Sequence, residues 1–419
     1  MVIMRFKYLL VCLITILCGF TLNAQKVYTF KEALDSAKEN NPFLQAVKLN
    51  VLLSQGDVIT AGLRPNPILN NQTLQLASSG HFAPGTKFYE AYNRQVWWQL
   101  TKPFQLSHQR ENKIETASKV VTVTEKNYLD SQRAVLLDCG GQWLNVWYSK
   151  ANLNLIQQAK KNIDSLVLTN QVRLKNQVIS NSEYTRTELL SEQYQLQLKQ
   201  AEQDYRNQLL MLQLVTGSKD SVAIDMDDPV ISLSTFEQAD SIQTTALQYR
   251  PDLQAANSAI DVANSNIKLQ KSLAKPVPEL GLIYNPQNSV PYVGFFGTIE
   301  LPFFSRNQGE IRKSKIQLEQ SQKAFSGLQK QISTEVSTAF KSYQVSKEAV
   351  ERYSDILQKS QQVLEAVKYA YTKGGTTIID FLEAQRTWFD TQKLYYDAMF
   401  NYRKNYLQLL YSTGQINQL

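Results

Sequence analysis

Histidine and cysteine are nearly missing from this 419-residue sequence, which has only His81, His108, Cys12, Cys18 and Cys139. A tetrahedral zinc site or a Cys–His nucleophile pair cannot be assembled from so few and so scattered ligands. No P-loop, dinucleotide fingerprint or nucleophile elbow occurs either. The chain is therefore read as a non-enzyme with no cofactor. Charge of one sign is also scarce: 44 Lys and Arg stand against 37 Asp and Glu, with no basic run. That leaves no footprint for nucleic acid. After residue 24 no apolar stretch reaches the roughly 18–20 residues of a membrane helix. If such a chain enters a membrane, it must do so as a closed β-barrel.

Residues 1–24 do have a pattern. Arg5 and Lys7 precede an apolar run from Tyr8 to Phe20, followed by Thr-Leu-Asn-Ala. This is the order of a secretory signal peptide, with cleavage expected near Ala24. Val11 and Leu17 precede the two early cysteines where lipidation would need a small residue. An exported chain would keep only Cys139.

Proline is confined. None of the twelve falls in residues 104–228 or 303–419, so those windows can hold long helices. The prolines also recur in order: Pro42, Pro65, Pro67 and Pro103, then Pro251, Pro276, Pro278 and Pro302. Their neighbourhoods agree, as in Asn41-Pro42-Phe43-Leu44-Gln45-Ala46 against Arg250-Pro251-Asp252-Leu253-Gln254-Ala255. Farther on, Glu183, Tyr205-Arg206 and Thr216-Gly217 match Asp380, Tyr402-Arg403 and Thr413-Gly414 at a constant offset of 197 residues. This spacing implies a tandem duplication of one large unit, not a short-period solenoid.

Each unit reads as helix, two strands, very long helix, turn, helix. Val336, Tyr343, Val350, Leu357, Leu364 and Tyr371 fall seven apart, and Ile311, Leu318, Phe325 and Ile332 form an upstream series. The step of four between Ile332 and Val336 is a stutter in a heptad seam. A helix over 306–373 would be about 100 Å long. Between the paired prolines, Val293, Phe295, Ile299 and Leu301 alternate with Thr298 and Glu300. Tyr92, Val96, Trp98 and Leu100 likewise alternate against Asn93, Gln95 and Gln99. Period-two segments of about ten residues mark membrane strands.

The expected organisation is a signal peptide at 1–24 and a first repeat at 25–217, with strands about 68–103, a long helix about 107–176 and a tip at 177–182. An inter-repeat segment at 218–240 leads to a second repeat at 241–414, with strands about 279–302, a long helix about 306–373 and a tip at 374–379; a tail at 415–419 ends the chain. Four strands fall short of the roughly eight that close a membrane barrel, so the chain must associate. Three copies would supply twelve strands.

On these residues the chain resembles the TolC-like outer membrane efflux family across nearly all of its mature length. The run Gly374-Gly375-Thr376-Thr377-Ile378-Ile379-Asp380-Phe381-Leu382-Glu383-Ala384 is similar to the family's periplasmic tip. The first tip, Gln177-Val178-Ile179-Ser180-Asn181-Ser182-Glu183, keeps the spacing but has Gln177 where glycine is usual. Ala61-Gly62-Leu63-Arg64-Pro65-Asn66-Pro67 and the run from Pro302 to Ile311 resemble the heavy-metal (CzcC-like) branch.

The resemblance implies an α+β channel: a homotrimer with a twelve-stranded barrel in outer membrane lipid and a periplasmic α-helical barrel. It also implies a passive duct whose tips meet a periplasmic adaptor joined to an inner-membrane transporter, expected to be proton-driven. Gln177, Val178, Ser180, Gly374, Gly375, Thr376 and Thr377 would form that contact. Within the same fold, the duct of a type I protein-secretion system is the alternative. A trimeric coiled-coil stalk is another, though it would not need a duplicated unit.

Asp380 and Glu383 share one helix face, and in a trimer they would place six carboxylates around one axis, a ring that favours cations. Asp380 and Glu183 also read as capping-box acids, through Thr377-x-x-Asp380 and Ser180-x-x-Glu183. Both roles stay open for those two acids, while Glu383 lies beyond the cap. In the family an arginine at the position of Thr376 can pair with the acid at the position of Glu183. Threonine cannot, and the nearby Lys373 or Lys175 is offered as a substitute. Trp97 and Trp98 read either as interfacial anchors or as barrel packing. His81 falls in a solvated loop, and Cys139-Gly140-Gly141 should bend the first long helix or let it pack closely.

Overall fold

A computed structural model describes residues 26–228, 239–287 and 290–419. The expected signal segment, 1–24, and residues 229–238 of the inter-repeat segment lie outside them.

A short strand β1 (Lys26–Tyr28) leads into the first repeat: α1 (Phe30–Asn40), α2 (Pro42–Gly62), β2 (Ile68–Gln75), β3 (Arg94–Pro103), α3 (Gln109–Lys175) and α4 (Asn181–Thr216). After β4 (Val222–Ile224) comes the second: α5 (Ala239–Tyr249), α6 (Pro251–Leu273), β5 (Glu279–Gln287), β6 (Val290–Thr298), α7 (Gln308–Thr372) and α8 (Ile378–Thr413). The expected order holds in both repeats. Each opening helix, however, is divided in two at Asn41-Pro42 and Arg250-Pro251. Proline lacks an N–H and starts the next helix at its first position.

The chain forms two compact units. The first contains the described residues 26–46, 129–228, 239–250 and 331–419. Its junctions are built twice. Asn41 Nδ2 donates to Val215 O (2.8 Å) and Arg250 Nη1 donates to Ser412 O (3.3 Å), each satisfying a free carbonyl near a helix end. Gly217 and Gly414 then end α4 and α8 at φ 66° and 76°. Trp143 is fully buried, edge-on to Phe30, with its Nε1 donating to Tyr28 O at 3.2 Å. Cys139-Gly140-Gly141 does not break α3, which runs unbroken through it. Close packing explains Gly140: a Cβ there would lie 2.8 Å from Leu407 Cδ2 and 3.1 Å from Phe30 Cζ. Burial pushes the Cys139 thiol up to about 12, so it stays protonated and inert.

The second unit, residues 47–128 and 251–330, contains one antiparallel sheet in the order β2-β3-β5-β6. The β3–β5 pairing, Trp98 opposite Tyr284 and Leu100 opposite Leu282, joins the repeats edge to edge. Register puts Leu69, Val96, Trp98, Leu100, Leu280, Leu282, Tyr284, Val293 and Phe295 on one face. That face is uncovered, and Phe295 is 88% exposed. The other face is mixed, with Gln72, Trp97, Gln99, Thr101 and Asn285. Tyr92 and Asn93 were expected on opposite faces of the first strand segment. They precede β3 instead, in a 3-10 turn at Ala91–Asn93. The reason is that Asn93 is buried as the hub of the loop: its Nδ2 donates to Thr86 Oγ1 (2.8 Å) and Lys87 O (2.9 Å), and its Oδ1 accepts from Ala83 N (2.9 Å). Ile299 and Leu301 lie past the end of β6. His81 is exposed in the same loop as Asn93. Among the described residues no helix is long and apolar enough to cross a membrane.

Every member of the two seven-residue series on α7 is buried or half-buried. The stutter thus keeps one seam facing inward along the helix.

Candidate functional site at the helix tips

Two turns close the long helices, and they share one construction. At the first, Gln177 N donates to Leu174 O (2.9 Å) and Val178 N to Arg173 O (2.9 Å). At the second, Gly374 N donates to Tyr371 O (3.1 Å) and Gly375 N to Ala370 O (2.8 Å). This is the Schellman closure, which needs a left-handed residue after the helix. Gln177 (φ 58°) and Gly374 (φ 77°) fill that place. Gln177 therefore keeps the glycine conformation without glycine, at a cost of about 1–2 kcal/mol.

The returning helices start on capping boxes. Ser180 Oγ accepts from Glu183 N (3.3 Å), and Glu183 Oε2 accepts from Ser180 N (2.7 Å). Thr377 Oγ1 accepts from Asp380 N (3.2 Å), while Asp380 Oδ2 accepts from Thr377 N (3.2 Å). Asp380 Oδ2 also accepts from Thr376 Oγ1 (2.6 Å) and Thr377 Oγ1 (2.7 Å). These bonds hold both acids below the usual carboxylate range. The leading cause is the Thr376 hydroxyl for Asp380 and the Ser180 N–H for Glu183. Both acids thus cap their helices. Asp380 remains fully exposed while doing so, so capping does not prevent it from facing a solvent-filled passage.

Thr376 meets Asp380 of its own turn, and the structure does not bring it to Glu183. Lys373 turns to the ring of Tyr369, with its Nζ 5.8 Å from the centroid. Glu383 is exposed one turn beyond Asp380. Gln177, Val178, Ser180, Gly374, Gly375 and Thr377 are exposed, and Thr376 is half-buried.

Behind the second tip lies a group that sequence reading missed. Tyr371 stacks on Phe381 (5.4 Å, 4°), its Oη donates to Asn170 Oδ1 (2.9 Å), and the Arg173 guanidinium covers its ring at 4.6 Å. The signal was present: Ile156, Ile163 and Asn170 fall seven apart, so Asn170 is a polar residue at a core heptad position. Strand alternation separates the two tryptophans. Trp98 lies on the apolar face and Trp97 on the mixed one.

The geometry on the page, long duplicated hairpins with capped tips and a half-apolar four-stranded sheet, agrees with three comparisons. A family model described as "Outer membrane efflux protein" matches residues 243–415. The cation efflux system protein CusC of Escherichia coli O157:H7 is 22% identical over 405 residues, covering 92% of this chain and 85% of the relative. The outer membrane protein TolC of Vibrio cholerae is 23% identical, covering 98% and 96%. The crystal structure of CusC superposes with a TM-score of 0.75 at 18% identity, covering 92% of each chain. That of VceC from Vibrio cholerae gives 0.72 at 14%, covering 92% and 96%. The second half of the chain thus matches the outer membrane efflux protein family, and the fold as a whole is that of these channels. The likeness includes both TolC and the cation efflux component CusC. By that likeness the chain reads as an outer membrane efflux channel component rather than an enzyme.

Proposed function

We propose that this chain is a TolC-like outer membrane efflux protein and the exit duct of a tripartite efflux system. Three copies would close twelve strands in the outer membrane. Their tips, through Gln177, Val178, Ser180, Gly374, Gly375, Thr376 and Thr377, would meet a periplasmic adaptor. The adaptor would couple the duct to a proton-driven inner-membrane pump. The observation that carries this reading is the open sheet: β2 and β6 are unpaired edges flanking an uncovered apolar face. Unpaired strand edges are not tolerated in hydrocarbon, and only closure with further copies removes them. Exposed heptad seams support the same conclusion. Leu189, Leu196 and Leu210 on α4, and Ile356 and Val363 on α7, are spaced at sevens or fourteens and left uncovered. Such seams need partner helices.

Three-fold assembly would gather Asp380 and Glu383 into a carboxylate ring at the periplasmic entrance, with Glu183 as a further acid near the tips. Such a ring attracts cations, and the likeness to a cation efflux component supports metal cations or small toxic molecules as cargo. Bilayer recordings of the purified channel test the ring. Glu383→Gln should weaken cation preference and divalent block, whereas unchanged conductance, selectivity and block would remove Glu383 from the pore. A deletion strain tests the function. It should become sensitive to metals or small toxic compounds; a strain that keeps its tolerance but fails to release a secreted protein would overturn the efflux reading.

A further inference from the structure

A notch of about 250 Å³ opens between α3, α7 and α8, beside the Tyr371–Phe381 stack. The charged groups of its lining are of one sign, Arg173 and Lys368. Gln385 is 5% exposed, and its Nε2 has no partner. Outside the lining, the fully buried Asn170 bonds the hydroxyl of the lining residue Tyr371. The Arg173 guanidinium lies against the face of Tyr371, with one N–H on Tyr371 O at 3.4 Å, and Lys368 stands at the rim. None of the residues lining the notch carries a carboxylate.

A buried amide N–H without an acceptor costs about 1–3 kcal/mol, so the free Gln385 Nε2 calls for an acceptor in the notch. The complement of an amide donor, a guanidinium fork and an ammonium group is a planar, acceptor-only, negative group. We infer that this notch binds a carboxylate, held by Arg173 and Lys368 through charge and by Gln385 through its free N–H group. The carboxylate has two possible sources. It is either a small organic acid or an Asp or Glu side chain of a protein seated over the exposed rim at Thr169. This inference stands on the notch alone and does not depend on the efflux reading.

The test uses purified full-length channel and compares unfolding midpoints in acetate and in its neutral isostere acetamide, at constant ionic strength. Acetate should raise the midpoint and acetamide should not. Arg173→Gln should weaken the apparent acetate affinity by roughly tenfold or more, the value of a charge-assisted pair. A second variant guards against a folding defect. Gln385→Glu places the acceptor inside the notch, so its midpoint should exceed that of Gln385→Leu and should no longer respond to acetate. A photo-crosslinker at Thr169 in cells separates the sources. A cross-link to an acid-bearing peptide that Gln385→Glu abolishes assigns the carboxylate to a protein. An acetate response without such a cross-link assigns it to a free acid. If acetate acts no better than acetamide, and Gln385→Glu falls at or below Gln385→Leu, the notch holds only water and the inference is overturned.

Discussion

Three glycines, Gly217, Gly374 and Gly414, end long helices in the left-handed region, with φ 66°, 77° and 76°. Alanine at any of them meets the same backbone strain, about 1–2 kcal/mol, partly offset by the 0.4–1 kcal/mol it takes from unfolded-chain entropy. Space then separates them. A Cβ on Gly374 would meet nothing within 4 Å, whereas one on Gly217 would lie 2.2 Å from Asn40 O and 2.6 Å from its carbonyl carbon. That backbone belongs to the clamp through which Asn41 holds the end of α4, so it cannot step aside as a flexible side chain would. Overpacking of this kind adds about 1–3 kcal/mol or more. Gly374→Ala should therefore cost about 1 kcal/mol or less, and Gly217→Ala about 3 kcal/mol. Gly414, with Tyr249 backbone atoms 2.9 Å away, should fall between them. Unfolding midpoints and assembled yield of purified channel measure the order. Gly374→Trp then separates stability from function: at an open turn it should assemble normally yet abolish efflux, because the tip is the proposed adaptor contact. Equal losses for Gly217→Ala and Gly374→Ala would refute the steric argument. Normal efflux by Gly374→Trp would move the docking site elsewhere.

Other expectations follow from the tips, the seams and the sheet. Asp380 and Glu183 are held below the usual carboxylate range when folded, so their capping contribution is complete above that range and fades as pH falls through the lowered values. Acidification below about pH 4 should speed amide exchange at the starts of α4 and α8, and Glu183→Gln with Asp380→Asn should remove that pH dependence. Leu196→Glu puts a charge into an uncovered α4 seam and should lower the trimer fraction in cross-linking of native membranes, with the secondary structure intact. Phe295→Arg on the apolar face of the sheet should cost about 2–4 kcal/mol near mid-bilayer, while Gln99→Arg on the opposite face should alter conductance and leave stability almost unchanged.

The duplication, the long helices and the alternating faces were legible because each follows from one local rule: proline position, a seven-residue period or a two-residue period. Three features were not. The split of each opening helix at Asn41-Pro42 and Arg250-Pro251 is local, but the clamp it creates reaches Val215 and Ser412, far along the chain. Tyr92 and Asn93 carried the right period for a strand, yet loop closure claimed them, since Asn93 satisfies three partners that the strand ladder could not. Asn170 and Gln385 are ordinary polar residues in a polar helix. The seven-residue period from Ile156 and Ile163 points Asn170 to the core, but only packing shows that both residues bury an amide.

The two repeats also show what their divergence has spared. Between Asn41 and Arg250 the side chain changes from amide to guanidinium, yet both span to a carbonyl at the end of the corresponding helix. From Gln177 to Gly374 the residue changes entirely, yet both adopt the left-handed turn with the same pair of backbone bonds. Ser180 with Glu183 and Thr377 with Asp380 exchange both members of the capping box while keeping its reciprocal bonds. The constant element at each place is a backbone geometry that closes a helix. The groups that differ between the tips are the exposed ones: Gln177 against Gly374, Val178 against Gly375, and the additional Thr376 hydroxyl on Asp380. In a closed ring of three such chains the two tips would alternate around the axis, so a partner meeting the ring end-on would encounter two chemically distinct turns built on one frame. Helix closure is what the two repeats hold in common, and the exposed side chains are where they were free to specialise.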